Sequence, residues 1–303
     1  MSGTAAAPGR TIPPRLMRDV VLPRVLWTIG VVFVFGWALF NVAMLGWVVL
    51  GSFRAGSSVF TRPFALPDVW SFANYVNAWV TSELGRGFFN SVLLVVLASA
   101  CVVFLAALAA YPLSRTRARS ASPVTTLFAI GLGIPLQIII VPLFVFMNTI
   151  SSAAYEAFGW WDSRISLFIL YVATSLPFAV FLLTGFFRSL PSEMEEAAAL
   201  DGAGPFRIFY RIMLPLARPG ITTALLLTGI SLWNETLLAL VFITDDSQGT
   251  LPRALLGLYS TMQYTANWGG LFAGIVIVVI PTIVLYTVLG RRIVQGMTMG
   301  AGK

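Results

Sequence analysis

The stretch Glu193-Met194-Glu195-Glu196-Ala197-Ala198-Ala199-Leu200-Asp201-Gly202-Ala203-Gly204-Pro205-Phe206-Arg207-Ile208-Phe209-Tyr210-Arg211-Ile212-Met213-Leu214-Pro215 decides how this chain is read. Ser192 followed by Glu195 is a capping-box pattern, and it opens a run of helix formers from Glu193 to Leu200. Asp201-Gly202 is a stop signal, because glycine enters the left-handed region at little cost. Gly204-Pro205 restarts a helix, with proline tolerated in the first turn. Phe206, Phe209, Tyr210 and Met213 then fall at i, i+3, i+4 and i+7, which predicts one apolar face closed by Pro215. The expectation is two short helices at an angle, the first offering the small Ala197, Ala198 and Ala199 to a partner. Glu193, Glu195, Glu196 and Asp201 argue against a connector resting on lipid, because anionic headgroups repel them.

The chain around this helix–turn–helix is built for lipid. Its 303 residues are 58% hydrophobic and only 10% charged, with a mean hydropathy of +0.87. A soluble domain carries roughly a quarter charged residues. Six apolar segments are long enough to span a bilayer, at about Val25–Ser52, Phe88–Leu113, Pro123–Ile150, Ser163–Phe187, Gly220–Ile243 and Trp268–Leu289. Lipid cannot satisfy open backbone groups, so the expected fold class is an all-α integral membrane protein of six transmembrane helices. Residues 1–23 read as a basic, proline-rich tail, 24–290 as the membrane domain with its charged loop at 188–218, and 291–303 as a second tail. The basic start resembles a secretory signal, but the apolar run behind it is too long and lacks a clear cleavage site.

Basic residues set the expected orientation. With the N-terminus inside, one face holds Arg10, Arg15, Arg18, Arg24, Arg115, Arg117, Arg119, Arg188, Arg207, Arg211, Arg218, Arg291, Arg292 and Lys303. The other holds only Arg54, Arg62, Arg86, Arg164 and Arg253. This asymmetry predicts that both termini and the 188–218 loop are cytoplasmic. It also accounts for the net charge of +7 without nucleic acid. Tryptophans 27, 70, 79, 160, 161 and 268 lie near predicted segment ends, as an interfacial aromatic belt would have them.

Several chemistries are excluded. There is no histidine, which removes the commonest metal ligand and the usual general base, so neither a metal site nor a catalytic set is expected. The single cysteine, Cys101, permits no internal disulfide. Gly302-Lys303 lacks the earlier glycine and following hydroxyl of a phosphate loop, so no ATP site and no cofactor are expected on this chain.

The spacing Glu196-Ala197-Ala198, three residues, Gly202, nine residues, Ile212-Met213-Leu214-Pro215 resembles the signature of permease subunits of ATP-binding-cassette importers. In that family the loop is the coupling helix that docks on the ATPase, which implies contact roles for Glu195, Glu196, Ala197, Ala198, Leu200, Asp201, Gly202, Ala203 and Phe206. The outer stretch Pro63-Phe64-Ala65-Leu66-Pro67, Trp70-Ser71-Phe72 and Asn74-Tyr75, with Trp233-Asn234-Glu235, Thr250-Leu251-Pro252 and Arg292-Ile293-Val294-Gln295-Gly296-Met297-Thr298, is similar to the second permease of the maltose-type carbohydrate branch. The resemblance implies a homologous second permease, two ATPase subunits, an extracytoplasmic sugar-binding protein and a place in a bacterial cytoplasmic membrane. It further implies ATPase contacts at Gln295, Gly296, Met297 and Thr298, and a loop at 244–267 that reaches the binding protein. A permease for another solute, or a secondary transporter working alone, is the competing class.

Three polar residues inside apolar segments remain open between two readings. Asn234 and Glu235 either line the pore or fix helix packing through hydrogen bonds. Gln137, between Pro135 and Pro142, either meets substrate or a gate, or lies in a simple kink.

Overall fold

The computed structural model describes residues 22–115 and 121–301, and among them only helices and turns occur. The expected tail 1–23 lies outside the described residues except for Leu22 and Pro23, which open the first helix. Helix α1 spans Leu22–Ser52, and two short helices follow, α2 (Ser58–Thr61) and α3 (Ala73–Val80). Then come α4 (Leu84–Arg115), α5 (Ala121–Gly133), α6 (Leu136–Phe158) and α7 (Ser163–Ser189). The charged loop holds α8 (Glu193–Leu200), α9 (Pro205–Ile208), a π-helical turn Phe209–Met213 and α10 (Leu214–Leu216). The chain continues through α11 (Arg218–Trp233), α12 (Leu237–Phe242), a 3₁₀ turn Asp246–Gln248, α13 (Leu251–Thr265) and α14 (Trp268–Ala301).

Helices α4 and α7 form the centre. Their buried faces carry small residues, Ala98, Ser99, Ala106, Ala107 and Ala110 on α4 and Ser166, Ala179 and Thr184 on α7. Without a hydrophobic force between helices in lipid, such residues stabilise the pair by letting backbones approach. Helix α11 packs between α4, α7 and α14, and α1 lies against α14 with most of its length exposed.

Five helices are long and apolar enough to cross a membrane unaided: α1 from Arg24, α4, α6, α7 and α14 up to Thr287. The remaining passage, fifth in chain order, is a broken one. Helix α11 has 16 residues, about 24 Å at 1.5 Å per residue, short of a hydrocarbon core of about 30 Å. It joins the elbow helix Pro205–Leu216 at a bend of 72°, and α12 follows its other end after three residues.

The third apolar segment is likewise not one helix. It stops at Gly133 and restarts at Leu136, with Pro135 extended (φ −65°, ψ 125°) as the first residue before α6. Pro142, by contrast, sits inside α6 without interrupting it. Helix α6 runs on to Phe158, so the connection expected at 151–162 is mostly helix, and 244–267 contains the 15-residue α13. Pro177 stays within an unbroken α7, and its ring meets α5 beside Gly131.

A Cβ at Gly220 would stand 2.4 Å from Cγ of Phe186, which is 4% exposed and has no room to move. Gly220→Ala is expected to cost about 1–3 kcal/mol through overpacking. Gly229→Ala, whose nearest neighbour would be Val95 at 3.9 Å, is expected to be neutral or slightly stabilising. Thermal unfolding of the purified, detergent-solubilised proteins checks the contrast.

Candidate functional site: a helical elbow at one end of the bundle

The turn after α8 forms as its residues require. Gly202 takes φ +79°, its N–H donates to Ala199 O at 3.0 Å, and Ala203 N–H donates to Ala198 O at 2.9 Å. These paired bonds are a Schellman closure, which satisfies two terminal carbonyls and needs a left-handed residue at Gly202. A Cβ at Gly202 would meet nothing within 4 Å, so the demand is purely conformational.

The start of α8 departs from expectation. Ser192 makes no side-chain cap, so the predicted capping box does not form. The Glu195 carboxylate turns inward instead. It accepts from Arg115 Nε at 2.6 Å and from the Tyr111 hydroxyl at 3.2 Å, while Arg115 also donates to Leu190 O at 3.2 Å. An ion pair offers this carboxylate more than a neutral backbone N–H does. Glu195 is therefore engaged with α4 and is not presented outward with the other elbow residues.

The predicted face of α9 also splits. Phe209 and Met213 are buried at 6% and 0% exposure, but Phe206 is 80% exposed and Tyr210 is 45% exposed. A π turn follows at 209–213, wound more widely than the 3.6-residue repeat that the predicted face assumes. Phe209 stacks near Tyr111 (centroids 5.1 Å) and Phe187 (6.5 Å), and Tyr111 meets Phe187 edge-on at 5.6 Å. Ala198, Ile208, Phe209, Met213 and Ala217 share one apolar cluster with Val102, Ala106, Leu183 and Phe187. The helix does not close at Pro215 but runs to Leu216 before the bend at Ala217.

What remains outward is a compact surface. Leu200 is 89% exposed and Phe206 80%, and Glu196, Ala197, Asp201 and Gly202 beside them are exposed as well. Ala198 faces inward and Ala203 is half-buried. Gln295, Gly296, Met297 and Thr298 continue the α14 backbone, and their side chains lie outside the described residues.

The mid-bundle candidates sit at the two helix breaks. The Glu235 carboxylate accepts from the N–H groups of Leu238 (2.8 Å) and Ala239 (3.3 Å), capping α12 after the interruption. Asn234 Nδ2 donates back to Ile230 O at 2.8 Å. Two contacts join this break to other helices: the Glu235 carboxylate meets the Tyr171 hydroxyl of α7, and Trp233 Nε1 donates to Val278 O of α14 at 3.3 Å. Gln137 is exposed in the first turn of α6. Its neighbour Leu136 packs in the same cluster as Leu238 and Ala239, so both breaks adjoin one patch of core.

The described helices thus form a bundle of membrane-crossing length with a charged helical elbow packed on one end. The family model described as "Binding-protein-dependent transport system inner membrane component" matches residues 102–299. The chain is 37% identical over 264 residues to the diacetylchitobiose uptake system permease protein NgcG of Streptomyces coelicolor, covering 87% of this chain and 85% of that one. It is 32% identical over 285 residues to the probable ABC transporter permease protein YurM of Bacillus subtilis, covering 93% and 91%. Among solved structures, a bacterial ABC transporter that imports the acidic polysaccharide alginate shares the fold, with TM-score 0.72 and 22% identity over 88% of this chain and 96% of that one. The protein belongs to the family of binding-protein-dependent transport system inner membrane components. It is a multi-pass permease of the inner membrane.

The Arg115–Glu195 pair has side chains about one-fifth exposed, between the surface and buried regimes. A double-mutant cycle on Arg115→Ala and Glu195→Ala, read by thermal unfolding, is expected to give a coupling of about 1–2 kcal/mol.

Proposed function

We propose that this chain is one of two homologous permeases of a carbohydrate importer, with its elbow and both termini cytoplasmic and the elbow gripped by a separate ATPase. The observation that carries the reading is the division of the elbow into two faces. One face, Phe209, Met213, Ala198 and Glu195, is welded to α4 and α7, and the other, Leu200, Phe206, Ala197 and Gly202, is open. A motor docked on the open face moves the ends of α4 and α7 directly, because no loose segment intervenes. Two ATPase subunits, one beneath each permease, then drive the rocking of the helices. The ATPase must bind one state of the pore better than the other, or the pore does not shift.

The saccharide class is supported by the diacetylchitobiose relative and by the alginate importer that shares the fold. An extracytoplasmic binding protein delivers the sugar at the end opposite the elbow, where 244–267 forms the 3₁₀ turn and α13, packed on α4 and α14. On this reading Glu196, Asp201, Leu200 and Phe206 contact the ATPase, and Gln295, Gly296, Met297 and Thr298 add contacts from the tail. Glu235 and Asn234 hold the broken fifth passage in shape, and their part in transport is indirect.

Gly202→Leu places a branched side chain in the left-handed region at a cost of about 1–2 kcal/mol. It is expected to leave membrane insertion intact while sugar uptake by the assembled transporter falls at least tenfold, with Gly202→Asn much milder. Cysteines at Leu200 and Phe206 are expected to crosslink to the ATPase. Normal uptake by Gly202→Leu, or crosslinks only to extracytoplasmic proteins, would refute the reading.

A further inference from the structure

At the end of the bundle away from the elbow, a cavity of about 360 Å³ opens between the middle of α6, the start of α7 and the end of α12 with the segment behind it. The two ends of α7 are about 39 Å apart at 1.5 Å per residue, so this cavity and the elbow occupy opposite faces. Its volume lies in the lower part of the range of small-molecule sites. Trp161 and Phe144 supply ring surface, and Asn148, Ser151, Asp245 and Gln248 supply hydrogen-bonding groups.

The lining is held in place from behind. Trp161 Nε1 donates to the buried Ser166 hydroxyl at 2.9 Å, which fixes the indole plane. Gln248 Oε1 accepts from Ser163 N–H at 3.1 Å and from the Ser163 hydroxyl, which leaves its amide nitrogen as a donor. The backbone around Gln248 is clamped by Asn90, whose amide donates to Ser247 O (3.1 Å) and Gly249 O (3.0 Å). Asn90 in turn accepts from Arg164, which pairs with Asp162. A preformed site needs supporting contacts of this kind, and a chance surface dent lacks them.

We propose that this cavity is a saccharide subsite on the entry side, where one sugar ring stacks on Trp161 while its hydroxyls bond Gln248, Asp245 and Asn148. The proposal rests on the importer reading above. A ring face beside mixed donors and acceptors suits a neutral polyol with an apolar flank. The bonds from Ser247 hold the Asp245 carboxyl below the usual carboxylate range, so it stays charged and disfavours an anionic solute. The polar stripe Asn148, Thr149, Ser152 and Glu156, exposed along α6 next to the cavity, is equally unsuited to lipid tails and continues a hydrophilic route.

The test uses the complete transporter, with its second permease, ATPases and binding protein, in proteoliposomes. N,N′-diacetylchitobiose, trehalose and maltotriose are the probes. Trp161→Ala and Gln248→Ala are expected to raise KM for an imported probe about 5- to 10-fold, with Trp161→Phe recovering most of the loss. If a probe is imported and both alanine variants keep the wild-type KM, the subsite is wrong and the importer reading stands. If no saccharide is imported and an amino acid or ion is, both fall. Asn148→Cys in a Cys101→Ser background gives a readout independent of the Trp161 fold. Saturating sugar is expected to protect the new thiol from a methanethiosulfonate reagent, and an unprotected thiol in a sugar-importing transporter overturns the subsite.

Discussion

The packing of Phe209 against Tyr111 and Phe187 ties the elbow to the bundle, and the rest of the molecule's mechanics depends on it. This cluster sits where the logic of stabilisation changes. Along α4 and α7 the alanines and serines work by close approach, because lipid is as apolar as the side chains it would replace. At the elbow the exposed Glu196, Asp201, Arg207 and Arg211 imply water, so burying Phe209 and Met213 there removes apolar surface from solvent outright, at about 1.5–3 kcal/mol for each side chain. The Arg115–Glu195 pair adds direction to that attachment, fixing how α8 sits on the end of α4. The elbow is thus a continuation of the core, and a push on Leu200 or Phe206 is a push on two long helices.

The middle of the bundle is arranged on the opposite principle. Two passages are interrupted, at Ile134-Pro135 and at Asn234 to Thr236, and both interruptions border the cluster that holds Leu136, Leu238, Ala239 and Tyr171. Non-helical backbone at membrane depth is tolerated only where protein covers it or water reaches it. Glu235 meets part of that cost by accepting two N–H groups of α12. The elbow attachment and the interrupted middle both lie against α4 and α7.

Much of this was readable from residue types. Four of the six apolar segments, the stop at Gly202 and the restart at Pro205 follow from local chemistry and appear in the structure, while the third and fifth segments are each broken into two helices. The signature spacing carried the family. The failures have physical causes. Ser192 and Glu195 have the spacing of a capping box, but Arg115, eighty residues earlier, competes for the carboxylate, and a local pattern holds no record of a distant cation. The i, i+3, i+4, i+7 face assumed 3.6 residues per turn, and the π turn at Phe209–Met213 breaks that assumption. Pro135 and Pro142 look alike in sequence, and only their surroundings decide that one ends a helix and the other does not. Trp161 reads as an interfacial anchor in the sequence; its bond to Ser166 is local, but the neighbouring Gln248 arrives from a segment some eighty residues away.

Asn90 and Ser91 grip the backbone of Ser247, Gly249 and Leu251, partners about 160 positions away in the chain. During synthesis, the early helix must wait in the membrane with its amide and hydroxyl unclaimed until nearly the whole polypeptide has left the ribosome. The end of the bundle away from the elbow therefore sets late, only after α12 and the turn behind it have been made.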